Sequence, residues 1–215
     1  MHQTRYIPPL GYHALTRVYD SVVRATTRER TVKRMLVEQV GARPGEHVPD
    51  LGCGTDTLAV ALANRHPSAA ITGVDADVEA LVIARGKAKR AGVFVNLELG
   101  RAEALPFAAE SFDRVASSLL FHHLTNAQKG AALREARRVL KSGGELHIAD
   151  WGRPANRVMR LAFFAVQLLD GFETTADHMA GHLSALIARA GFAAVRETGS
   201  LSTAAGILRL YRAAK

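Results

Sequence analysis

Apolar positions recur along this chain in two alternating rhythms. A helical pattern covers about 11–24. A second covers 28–40, with Val32, Leu36 and Val40 on one face, and ends at Gly41 and Pro44-Gly45. Beyond it, short apolar runs alternate with amphipathic ones. Strands are predicted at 46–50, 70–75, 93–99, 112–117 and 145–150. Between them lie helices at about 55–65 and 77–91, the latter with Val78, Leu81, Val82 and Arg85 on one face. A third begins at Thr125, where Gln128 completes a capping box. It turns Ala132, Leu133, Ala136, Val139 and Leu140 inward and stops at Gly143-Gly144. Amphipathic helices at about 154–169 and 178–190 follow. Strands at about 193–200 and 203–212 close the chain.

Alternating strands and helices predict a mainly parallel sheet covered on both faces. The last two strands are joined by a few residues, too few for a parallel crossover, so they form an antiparallel hairpin. No linker or repeat divides the chain. It reads as a single domain: an N-terminal helical cap (1–40), a core (41–150), a cap insertion (151–175), then a C-terminal helix and hairpin (176–215).

Composition narrows the class. The chain of 215 residues is 48% apolar and 22% charged, as expected of a globular domain. Cys53 is the only cysteine, which excludes an intrachain disulfide and any multi-cysteine metal site. The start is polar, without the apolar stretch of a signal peptide, and no apolar run approaches a membrane span, so a cytoplasmic location is expected. The net charge of +8 invites a nucleic-acid reading. The basic residues are scattered, however, and no aromatic interleaving marks a stacking platform, so nucleic acid is disfavoured as partner.

The chemistry concentrates after the first strand. Asp50-Leu51-Gly52-Cys53-Gly54-Thr55 leads from strand to helix. The glycines allow close approach of a ligand, and the helix N-terminus favours an anionic group. Thr57 replaces the third glycine of the dinucleotide fingerprint, which argues against NAD. Asp75, ending the second strand, is placed to accept hydrogen bonds from ribose hydroxyls; alternatively it caps the next helix.

Three further blocks carry a resemblance: 100–107 (Gly-Arg-Ala-Glu-Ala-Leu-Pro-Phe), 111–115 (Ser-Phe-Asp-Arg-Val) and 138–144 (Arg-Val-Leu-Lys-Ser-Gly-Gly). With the glycine loop, they resemble the ubiquinone/menaquinone-type branch of small-molecule class I S-adenosyl-L-methionine (SAM) methyltransferases, over about 45–150. The resemblance implies a Rossmann-like, doubly wound α/β fold of seven strands in the order 3-2-1-4-5-7-6. It implies SAM as cofactor and a small-molecule methyl acceptor. It places Asp50, Gly52, Cys53 and Gly54 on the methionine side and Asp75 and Ala76 at the ribose and adenine. Ala102 and Glu103 would lie beside the adenine, and Ser118 near the sulfonium.

Three residues depart from the family. Pro49 stands in a central strand, Asp56 replaces a small residue in the loop, and Arg101 replaces the Asp that accepts from the adenine. Arg cannot accept a hydrogen bond, though it can stack on the ring, with Glu103 as replacement acceptor. A non-methylating protein with an altered pocket is therefore an alternative, and an RNA methyltransferase is a third.

On the acceptor side, Phe121-His122-His123-Leu124 follows strand 4. His122 or His123 is a candidate base. Adjacent histidines are expected to point apart, without a third ligand, so no metal is expected. Phe121, Trp151, Tyr12 and Tyr19 are candidate acceptor contacts, although Trp151 reads equally as a core residue. The apolar helix at 154–169 reads as a cap. A small apolar or aromatic O- or C-nucleophile is expected.

Overall fold

The computed structural model describes residues 28–55, 57–152, 182–203 and 206–215. The helices expected at 11–24 and 154–169, together with Tyr12, Tyr19 and Asp56, lie outside the described residues. Among the described residues, seven strands form one sheet: β1 (His47–Leu51), β2 (Ala70–Asp75), β3 (Asn96–Leu99), β4 (Phe112–Ser118), β5 (Leu140–Gly152), β6 (Ala193–Thr203) and β7 (Gly206–Ala214). Their order is 3-2-1-4-5-7-6. β1 to β5 pair in parallel, and β7 runs antiparallel to both β5 and β6. β6 slips register against β7 twice, between Ala193 and Arg196 and between Glu197 and Gly199.

Helices α1 (Glu29–Val40), α2 (Thr57–Arg65) and α3 (Val78–Ala91) enclose one apolar cluster, in which Val32, Leu36, Leu58, Leu62 and Ala88 meet Val48 and Ile71. Helices α4 (Asn126–Val139) and α5 (Leu183–Arg189) cover a second, built on Leu133, Ala136 and Ile187 against Val115, Ile148 and Tyr211. Burial of apolar side chains on both faces is the main stabilising term.

Local chemistry sets several boundaries. Asp77 caps α3, accepting from the amides of Glu79 and Ala80. Thr125 and Gln128 form the capping box of α4. Several elements differ in length from expectation, β6 and β7 among them. β3 begins at Asn96 because the Val93 amide still donates to Ala88 O at 3.1 Å, finishing α3. α4 stops at Val139, because Leu140 is already extended and pairs with Phe112. β5 continues through Trp151 and Gly152, which pair with Leu208 and Ile207.

Pro49 fits its central strand for a local reason. β1 pairs with β2 from His47 to Leu51, but with β4 only at Asp50 and Leu51. Alternate amides of a parallel strand point to opposite neighbours, so Pro49 shares the direction of His47. The His47 amide donates to the Asp113 carboxylate at 2.9 Å instead of to a strand carbonyl. Pro49 thus sits immediately before the stretch of β1 that pairs with β4, so its lack of an N–H interrupts no ladder already under way.

Candidate functional site

The carboxyl ends of β1, β2 and β4 converge on two adjoining cavities. One, of about 450 Å³, is lined by Gly52, Gly54, Asp75, Ala76, Arg101, Ala102, Glu103, Leu119, Leu120, His123, Leu124 and Gln128, among others. The second, of about 290 Å³, is lined by Glu29, Lys33, Asp50, Gly52, Cys53, Gly54, Thr57, Ser118 and Leu119, among others. Gly52, Gly54 and Leu119 border both.

The glycine loop is held by its own backbone. The amides of Gly52 and Cys53 both donate to Val74 O, at 2.9 and 3.0 Å. The Gly54 amide donates to Asp75 Oδ2 at 2.7 Å, while Asp75 Oδ1 accepts from the Asp77 amide at 2.9 Å. The loop therefore offers shape rather than these amides. Gly52 has φ +67°, and a Cβ there would lie 2.6 Å from Leu120 Cδ1. Gly54 also has positive φ, but a Cβ there would meet nothing within 4 Å. Leu119, a non-glycine residue at φ +58°, turns the chain out of β4 between the cavities. Its amide donates to Ala149 O at 2.9 Å. A residue held in that region stores about 1 kcal/mol or more, and such residues cluster at functional sites.

Beyond Leu119 the chain forms a 3₁₀ turn, Phe121–His123. Asp150, fully buried on β5, gathers this turn. It accepts from His122 Nδ1 at 2.9 Å, the Phe121 amide at 2.8 Å and the Trp151 amide at 2.7 Å. The rings of His122 and His123 lie 3.9 Å apart, tilted by 43°. The two rings lie against each other, contrary to the expectation that they point apart.

Comparison with known proteins fits this geometry. The methyltransferase domain family matches residues 48–144. An uncharacterized methyltransferase of Synechocystis is 33% identical over 184 residues, covering 84% of each chain. The chain belongs to the class I SAM-dependent methyltransferase family. The ubiquinone/menaquinone biosynthesis C-methyltransferase UbiE of Shewanella pealeana is similar at 29% identity, over 95% of this chain and 88% of its own. A SAM-dependent methyltransferase of Methanosarcina mazei shares the fold, with a TM-score of 0.65 at 20% identity, over 81% of this chain and 94% of its own.

The cofactor of this family is SAM, and the residues of this methyltransferase fit it. The larger cavity carries the Asp75 carboxylate, an acceptor for hydroxyl groups, with the small side chains of Ala76 and Ala102 beside it. On the wall of the smaller cavity, Ser118 Oγ is buried without a hydrogen-bond partner. Together the cavities fall within the usual range for small-ligand sites, roughly 300–1,000 Å³. Arg101 is half exposed and donates to Glu103 Oε1 at 2.8 Å, so these two rim residues hold each other. The helix-capping alternative for Asp75 is overturned, since Asp77 performs that role.

Every residue expected on the cofactor side borders one cavity or the other. The acceptor side is more divided. His123 lines the larger cavity, whereas His122 is buried behind it. The rings of Phe121 and Trp151 sit in the two core clusters and border neither cavity, a correction to their expected role as acceptor contacts. Their backbone amides serve Asp150 instead. Lys33 and Glu29 also stand on the wall of the smaller cavity, although the apolar stripe of α1 carries no signal for either, Lys33 merely following Val32. Among the described residues no three His, Cys, Asp or Glu side chains are grouped to hold a metal ion, and no helix is long and apolar enough to cross a membrane.

Proposed function

We propose that this methyltransferase modifies an oxygen or carbon nucleophile on a small apolar or aromatic acceptor, in the cytoplasm. The observation that carries the reading is the chain Asp150–His122–His123 running from the buried end of β5 to the wall of the larger cavity. Asp150 fixes the Nδ1 side of His122, and the His122 ring braces His123. His123, facing the cavity, takes the proton from an acceptor that is not already ionised. Leu119, Leu120 and Leu124 on the same wall suit an apolar acceptor and exclude water. The UbiE relative is by name a C-methyltransferase of quinone biosynthesis, which supports carbon as one of the two nucleophiles.

Bound SAM supplies an electrophilic methyl group. Asp75 would accept from its ribose hydroxyls, and Ala76, Ala102 and Glu103 would border its base. Asp50, Ser118 and the loop from Gly52 to Gly54 would border the methionine portion. Most of the rate then comes from holding the acceptor in line, the task of the cavity walls.

Calorimetric titration with SAM, followed by transfer of labelled methyl to a panel of phenols, enols and quinols, tests the proposal. Binding followed by transfer to at least one of these is expected. SAM binding without transfer to any of them, or transfer to RNA alone, refutes it. Repeating the titration with Arg101→Asp asks whether the Arg101–Glu103 pair weakens the adenine side.

A further inference from the structure

A third cavity, of about 400 Å³, opens between α1 and α2 and reaches α3. It shares Glu29, Lys33 and Thr57 with the smaller of the two site cavities, so it opens beside the glycine loop. Five cations line it: Arg30, Lys33, Arg34, Arg65 and Lys87. Glu29 is the only carboxylate among its lining residues, and Lys33 Nζ already takes it at 2.5 Å. Lys87 donates to Thr55 Oγ1 at 2.6 Å. Among the described residues, Arg30, Arg34 and Arg65 have no ion-pair partner.

The groove gathers these cations in one concave space, whereas several basic side chains elsewhere are bound to carboxylates. Arg114 is bound to Glu46 and Glu145, Arg138 to Glu135, Lys141 to Asp113, and Lys215 to Glu110. Arg30 and Arg34 stand one helical turn apart, a spacing at which like charges repel. Arg65 brings a third guanidinium to the same space from the neighbouring helix. Its place in the last turn of α2 suits the helix dipole, but that accounts for neither Arg30 nor Arg34.

We propose that this groove binds a phosphate-type anion, the phosphate or diphosphate group of a ligand distinct from SAM. Guanidinium groups are suited to phosphate oxygens, which they bind through paired N–H donors. The groove is a concave space of small-molecule size, with no aromatic residue in its lining on which a nucleobase would stack. The proposal is independent of the methyl-transfer reading.

The test is titration of the full-length protein with inorganic pyrophosphate, native and with Arg30→Gln, Arg34→Gln and Arg65→Gln combined. All three side chains are exposed, so thermal melting of the variant should match the native protein. SAM titrations of both forms run in parallel. Sedimentation with phosphatidylglycerol vesicles separates a lipid headgroup from a soluble phosphate. The expected result is pyrophosphate or vesicle binding at least about tenfold weaker in the variant, abolished by high salt, with SAM affinity unchanged. Equal binding by both forms, or no binding of either probe by the native protein, overturns the proposal. Loss of SAM affinity in the variant also overturns it, because the groove would then be part of the cofactor site.

Discussion

The Asp75 carboxylate holds the Gly54 amide at 2.7 Å, tying the end of β2 to the glycine loop. One side chain therefore both shapes the loop and presents an acceptor to the cavity. Asp75→Ala should weaken SAM binding by roughly two orders of magnitude, since it removes charge-assisted bonds and loosens the loop. Calorimetry measures the affinity. An unchanged affinity would exclude Asp75 from the site.

The two loop glycines should respond differently to alanine. At Gly52 the new Cβ meets Leu120 and the backbone is left-handed, so Gly52→Ala should lose about 2–3 kcal/mol of stability along with SAM binding. At Gly54 there is open space, and only the positive φ opposes the change, at about 1 kcal/mol. Denaturant unfolding of both variants checks the difference. Equal losses would show that packing against Leu120 is not the cause.

His123→Gln should lower kcat by about two to four orders of magnitude while leaving SAM affinity within about twofold. The deficit should shrink at alkaline pH, where the acceptor ionises unaided. Asp150→Asn should act in the same direction through His122. A pH–rate profile parallel to the native one would make His123 a wall residue rather than a proton acceptor.

His147 predicts a pH dependence of stability. It is fully buried on β5, and the Gln39 side-chain amide donates to its Nδ1 at 3.3 Å. Burial pulls its pKa down to about 4, against the attraction of Glu145, while Arg114 and Arg212 push it lower and Glu46 opposes them. The folded form stays neutral where the unfolded chain, titrating near 6.5, takes up a proton. The folded state is therefore undiminished above about pH 6.5 and loses up to about 3 kcal/mol as the pH falls towards 4. His147→Gln should flatten the slope of melting temperature between pH 6.5 and 5. Loss below about 4.5 should persist, because Glu46, Asp113 and Glu145, all held below their usual values, protonate there.

Much of this was legible in the residues themselves. β2 spans the predicted 70–75 and the capping box forms at Thr125, because the apolar run of the one and the Thr-Gln spacing of the other are patterns local in sequence. Where α4 and β5 depart from expectation, a tertiary partner intervenes. Leu140 leaves α4 because Phe112 offers it a strand to join. The glycine loop and Asp75 were legible because their chemistry lies within one strand–loop–helix unit and the next strand. The Asp150–His122 contact joins residues 28 positions apart across β4 and β5, and no local pattern encodes it. Lys33 reaches the site only because α1 packs against α2, a fact invisible in the apolar stripe of α1.

The double slip of β6 against β7 bears on how the sheet ends. A strand from another molecule would need an evenly spaced row of amides and carbonyls along this outer margin. Instead it would meet two kinks, with the exposed, charged Arg196 and Glu197 between them. The margin is a poor template for fibre growth, so the enzyme can carry a long outer strand at high concentration without recruiting its neighbours into a continuous sheet.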